Sequence, residues 1–386
     1  MKKCIWGLCL LFLGSLTACN NDDEVITVDP ETGIPTDNVA MPAPELSESE
    51  LNTTIPNFSS YVEESSNGKV ARISLTGIKT PSNEWMKLYG TSNPNQNIWV
   101  EIDGKPKGIE VVNSDELEGN RSRAYSKAKA DVVFLIDDSG SMSEEADAVA
   151  TQVLSWSSIL SQAMDVNFGC VGYGDGYGID GALDITDINS FHAYMNNGHT
   201  GTYRTQLFGG DNAEALRTAS SDYQNGSYNE CGALALRFAD ENFAFRQSAN
   251  RIYVNMTDEP NQPNGDEKWS VEYVKDQTNW NVGKGTIHTV FSDPYYDSLG
   301  WEDLWYEKPW LMSEYTGGSV IYASSDFSDI TLEDLEVTGA ITNSYIIRLN
   351  ITTDLLSGTH EVKITILSED GTVKANKVFY DVTFAN

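Results

Sequence analysis

The chain has 386 residues, 40% hydrophobic and 10% aromatic, which is enough apolar surface for two ordinary domains and a tether and too much for wholesale disorder. Its 57 acidic against 25 basic residues give a net charge of -32, a field that repels nucleic acid and anionic membrane surfaces and attracts divalent cations. Nucleic acid is thereby excluded as a partner, although the same charge also serves simply to keep an exposed protein soluble.

The N-terminus reads as an export signal. Lys2 and Lys3 precede an apolar run from Ile5 to Leu16 and then Thr17, Ala18 and Cys19, a run too short to span a bilayer as a stable helix. Leu16-Thr17-Ala18-Cys19 resembles the lipobox of bacterial lipoproteins, which implies that residues 1–19 are a leader and that Cys19 carries the lipid. Asn20-Asn21-Asp22-Asp23-Glu24 is similar to the surface-export signal of many Bacteroidota lipoproteins, implying a lipid-anchored, surface-exposed place on the outer membrane. From Asn20 to Gly68 there are eleven acidic residues, no basic ones and five prolines, so residues 20–68 read as a disordered acidic tether. With Cys4, Cys9 and Cys19 at the leader, Cys170 and Cys231 remain as either a disulfide or two buried thiols.

Beyond the tether, residues 69–125 alternate as strands, with Ile98 to Ile102 leading into a hairpin signal at Asp103-Gly104. Residues 339–386 alternate in the same way over Tyr345 to Ile351, His360 to Leu367 and Lys377 to Phe384, with Asp370-Gly371 placed for a turn. Between the flanks, residues 126–338 alternate short apolar strands with helices, the pattern of a doubly wound α/β sheet. Asp131 to Asp137 reads as a fully buried strand, followed by Ala146, Val149, Val153, Trp156 and Leu160 on one helical face. Further strands are expected at Val166 to Tyr173, Arg251 to Thr257, Gly285 to Phe291 and Ser319 to Ala323. The economical arrangement pairs the two flanks in one antiparallel β-sandwich with the α/β domain inserted; two small sheets, or strands added to the α/β edge, are the alternatives.

The first buried strand ends in Asp137-Asp138-Ser139-Gly140-Ser141-Met142. A carboxylate and two hydroxyls at alternate positions between a strand and a helix are hard oxygen ligands of the kind Mg²⁺ prefers, where open α/β sheets bind ligands. The run Val132 to Met142 closely resembles the Asp-x-Ser-x-Ser motif of von Willebrand factor A (VWA) domains, which fold as a Rossmann-like doubly wound sheet. Arg251 to Pro260 is similar to that family's fourth-strand segment, which gives Asp258 the role of last carboxylate. The remaining ligand is implied by resemblance to the integrin β-like branch: Glu230, opening a helix before the fourth strand, or alternatively Glu214 if Ser220 to Tyr228 is an insertion.

The resemblance implies direct contact of Ser139, Ser141 and Glu230 with Mg²⁺, Mn²⁺ or Ca²⁺, with Asp137 and Asp258 acting mainly through water. One open position would accept a carboxylate from a protein ligand. Loops Gly172 to Gly181 and Gly198 to Gly210 would choose that partner. No enzyme is expected, because His192, His199, His288 and His360 are scattered and no zinc cluster, nucleophile-base pair or phosphate loop is present. A structural or assembly role in a cell-envelope complex, with little metal dependence, is the alternative. Trp301, Trp305, Tyr306 and Trp310 read as a helix packed on the sheet, with a carbohydrate platform as the minor reading.

Overall fold

The computed structural model describes residues 28–113, 129–143, 145–197, 201–226, 228–292, 306–324 and 336–384. The leader with Cys19, the first residues of the expected tether, His199, Trp301 and Trp305 lie outside them.

Among the described residues, five strands precede the α/β region: β1 (Phe58–Val62), β2 (Val70–Leu75), β3 (Ile98–Ile102), β4 (Lys105–Pro106) and β5 (Ile109–Asn113). The α/β region contributes β6 (Lys129–Asp137), β7 (Asp165–Tyr173), β8 (Ile179–Thr186), β9 (Phe208–Gly209), β10 (Asn250–Thr257), β11 (Thr286–Phe291) and β12 (Val320–Tyr322). Three follow it: β13 (Tyr345–Asn350), β14 (His360–Leu367) and β15 (Lys374–Val382). The helices are α1 (Ala146–Ala163), α2 (Ile188–Met195), α3 (Ala213–Ser220), α4 (Gly232–Asn242), α5 (Glu272–Lys275), α6 (Leu311–Thr316) and α7 (Glu336–Thr342).

The seven-stranded sheet runs β12-β11-β10-β6-β7-β8-β9, with β6 parallel to β7 and β10 and only the β7–β8 pair antiparallel. Alternation along β6 explains the two helical layers. Val132, Phe134 and Ile136 pack in one core with Val149, Val153, Trp156 and Leu160 of α1 and with Phe191. Val133 and Leu135 pack in the other with Leu234, Leu236 and Phe238 of α4, Trp269 and Trp280. A strand covered on both faces must be apolar throughout, which is why Asp131 to Asp137 reads as it does.

The flanking strands form two four-stranded sheets, β1-β2-β13-β5 and β15-β14-β3-β4. Each mixes strands from before and after the α/β region, and their inner faces close one core around Ile73, Leu75, Val100, Ile347, Ile364 and Phe379. The β3–β4 turn places Asp103 and Gly104 at φ 50° and 71°, the left-handed pair that an Asp-Gly hairpin provides.

Four expectations need correction. Residues 28–68 are not a disordered tether: Ile34 and Ile55 are buried, β1 is a sandwich strand, and Asp37 and Glu50 pair with Lys107 and Lys374. Composition averaged over the segment conceals these anchors, because the basic partners lie elsewhere in the chain. The boundary at 338/339 falls inside α7, whose Ile341 joins the α/β core while Ala340 accepts from Gly77 N–H at 2.6 Å. Gly172 to Gly181 is no simple loop, since it ends β7 and starts β8. Cys170 and Cys231 are free and buried in cores on opposite faces of the sheet, so no disulfide joins them, and burial pushes both thiols up to about 12.

Candidate metal centre

The centre lies at the C-terminal ends of β6 and β10. Asp137, the last residue of β6, is fully buried. Its Oδ1 accepts the Ser139 backbone N–H at 3.0 Å, closing a local turn of the kind aspartate favours. The next residues form a short 3₁₀ turn, Ser141–Ser143, anchored by the buried Met142. That turn brings the Ser139 and Ser141 hydroxyls to 2.9 Å from each other.

Register with β10 supplies the second side. Met256 pairs with Ile136, so Thr257 stands beside Asp137 and its hydroxyl donates to Oδ2 at 2.7 Å. The following residue, Asp258, accepts from Ser141 Oγ at 3.3 Å. Glu230 enters from the segment before α4, held by Gln262 N–H donating to its carbonyl at 2.8 Å. Gly174, at φ 111°, is the close approach that admits it: a Cβ there would stand 3.0 Å from Asp137 Oδ1, 3.2 Å from Glu230 Cγ and 3.4 Å from Ser139 Cβ. The structure therefore brings Asp137, Ser139, Ser141, Glu230 and Asp258 together. Glu214 is not among them; it is exposed in the first turn of α3, a helix packed on β8 and β9.

Burial, reinforced by like charges, sets the electrostatics. Burial, then the Asp258 and Glu230 charges, push the Asp137 carboxyl well above the usual carboxylate range. Burial and the Asp258 charge push Glu230 up to about 6. Among the described residues no three Asp, Glu, His or Cys side chains stand close enough to hold an ion by themselves, so a cation here needs the serine hydroxyls. The donor set fits one: hydroxyl and carboxylate oxygens are the hard ligands of Mg²⁺, Mn²⁺ or Ca²⁺, and a dication offsets a buried carboxylate that faces two others.

Three contributing residues escape a reading by motif. Thr257 could have been found from β6–β10 register. Gly174 has no signal beyond a glycine after a strand. Asp138, the variable position of the motif, is buried and accepts from Thr205 Oγ1 at 2.7 Å; burial and the neighbouring Asp180 charge raise its carboxyl well above the usual range. The aromatic group divides, with Trp310 buried against Phe291 at 5.2 Å and Tyr306 exposed.

No protein-family model and no curated protein matches the chain. Solved structures similar to it include proximal thread matrix protein 1 of the mussel byssus, at 13% identity and TM-score 0.37, over 61% of this chain and 49% of that one. Manganese-loaded TRAP protein of Plasmodium vivax matches at 10% and 0.31, over 72% and 98%. The ArnB paralog VWA2 of Sulfolobus acidocaldarius matches at 10% and 0.30, over 86% and 74%. The chain thus spans about half the length of the mussel protein. At these scores the α/β class stands on the sheet order and its two helical layers.

Proposed function

We propose that this chain is an exported, lipid-anchored binding protein of the outer-membrane surface, attached through Cys19. In this reading its VWA-like domain takes up a divalent cation and, through it, a carboxylate of a protein partner. The observation that carries this reading is the convergence of Asp137, Glu230 and Asp258 on the Ser139–Ser141 hydroxyl pair at the strand ends. Ser139, Ser141 and Glu230 would hold the ion, with Asp137 and Asp258 behind them. When bound, the cation supplies an electrophilic centre that a partner's carboxylate can share. The chain's own residues prepare that position: Thr257 and the Ser139 N–H fix the Asp137 carboxylate, and Gly174 leaves room for Glu230.

This is a binding role and not catalysis. The test is calorimetric titration of Mg²⁺, then Mn²⁺, into a soluble form beginning at Asn20, beside its Asp137→Ala variant. Site-specific heat lost in the variant supports the reading; no heat in either protein refutes it and leaves a metal-independent assembly role in the envelope.

A further inference from the structure

The segment ahead of β1 fixes the point from which the body hangs. Residues 28–35 are held on the sandwich: Val28 bridges Pro35, Asp29 N–H donates to Ile34 O at 2.9 Å, and Ile34 is fully buried. Asn350, the last residue of β13, donates to Ile34 O and Pro35 O at 3.3 Å and accepts from the Thr32 hydroxyl. Two residues on, Asp37 accepts the Gly108 N–H at 3.0 Å and pairs with Lys107 at 2.8 Å. Cys19 and Val28 are nine positions apart, so a chain between them reaches about 30 Å at most.

This docking point lies at the end of the sandwich remote from the α/β domain. β2 and β13 are antiparallel, with Leu75 opposite Tyr345 at one end and Val70 opposite Asn350 at the other. The Leu75 end is the junction: Gly77 N–H donates to Ala340 O of α7 at 2.6 Å, and Asn57, just ahead of β1, donates to Gly285 O at 2.9 Å. The Asn350 end stands about 17 Å from it, at roughly 3.3 Å per strand residue. Beyond the junction the order continues along β10. Asn250 at its start accepts the Ser59 N–H at 3.0 Å, and Thr257 at its end donates to Asp137, about 23 Å farther along the strand. One strand length of each domain therefore separates the docked segment from the metal centre.

A body tethered at one end can stand on the membrane or lie along it. Lying down brings the α/β domain, with exposed Asp147, Asp175, Asp211 and Asp266, against the surface. For a chain of net charge -32 an anionic surface opposes that approach, and screening confines the repulsion to within about 8–10 Å, which a standing body avoids.

We propose that the sandwich end carrying residues 28–35, with the adjoining turn at Glu64–Ser66, faces an anionic lipid surface, and that the metal centre is held away from it. The inference rests on the anchor at Cys19 proposed above and not on the metal. The test supplies the anchor chemically: the chain beginning at Cys19 is coupled through that thiol to a maleimide lipid in phosphatidylcholine–phosphatidylglycerol vesicles, a reaction for which the buried Cys170 and Cys231 do not compete. A donor dye is attached through p-azidophenylalanine in place of Asn67, beside the turn, or of Tyr228, beside Glu230, both exposed, and energy transfer to an acceptor lipid is read without added metal. Transfer from position 67 is expected to exceed that from position 228 roughly threefold, given the two strand lengths between them. Ser65 and Ser143, also exposed, replace either position if a label lowers the melting temperature. Equal transfer from the two ends, or stronger transfer from the metal end, overturns the proposal. Whether cells lipidate Cys19 is read separately, from the intact mass of the protein extracted from envelopes, so failure of the anchor is distinguishable from failure of the orientation.

Discussion

The two ends of β6 each carry a buried aspartate, and the chain treats them in opposite ways. Asp131 meets Arg246, which donates to it from Nε at 2.6 Å and from the backbone at 2.7 Å. Asp137, six positions on and equally buried, faces Asp258 and Glu230. An internal cation makes the first carboxylate a structural part; negative neighbours make the second a demand for a cation from outside. The sandwich follows the first pattern, with Arg348 between Glu63 at 3.1 Å and Glu110 at 2.5 Å. Excess acid in this chain therefore carries meaning only by location.

The comparison breaks most visibly at Asp131. Replacing Arg246 by Met strands a fully buried carboxylate and should cost about 3–5 kcal/mol in chemical denaturation; a cost under about 1 kcal/mol would mean that the pair does not hold that end. At Asp137 the sign should reverse. In chelator, Asp137→Asn should melt no lower than the wild type, since it removes a disfavoured charge. Mg²⁺ at a hundred times its Kd should stabilise only the wild type, by about 2.7 kcal/mol. Equal stabilisation of both proteins would place the ion elsewhere.

Two smaller effects sharpen the contrast. Lys377 at the domain junction has long contacts to Ile55 O, Asn57 Oδ1 and Tyr315 O, at 3.4, 3.4 and 3.5 Å, and burial lowers its pKa from 10.5 to about 8. Between those values the folded chain binds fewer protons than the unfolded one, so stability rises with pH through that window. Lys377→Met should thus be more stable than the wild type at pH 7, on the order of 2 kcal/mol, with the gain shrinking by pH 10. Thermal melts at both pH values check it, and a pH-independent difference would remove the charge from the explanation. Gly174→Ala forces a side chain into a left-handed position beside Asp137 and Glu230; a stability cost of about 1–2 kcal/mol and weaker Mg²⁺ uptake are expected, and wild-type uptake would show that the close approach is not required.

What the sequence reveals follows the same division. β6 is legible because both of its faces are covered, and Glu230 was separable from Glu214 because the helix from Gly232 leads straight to β10. The β7–β8 hairpin is hidden because glycines fill it for contact reasons: a Cβ on Gly181 would stand 1.8 Å from the Thr205 carbonyl oxygen, so a strand residue looks like loop. Residues 28–68 misled for another reason. Their acids dock on lysines at 107 and 374, a pairing across the chain that local composition cannot carry. The roles of Thr257 and Asp138 likewise depend on neighbours from other segments.

The insertion also dictates an order of events. β2 finds one of its partners only when β13 exists, with Leu75 opposite Tyr345, and β3 waits in the same way for β14. A chain emerging from its N-terminus must hold these half-made sheets with open edges until the whole α/β domain has appeared. Closure across such a separation is slow, and unpaired edges invite pairing with other chains. The inserted domain can gather its local βα units first, so the last strands act as the latch that completes the molecule.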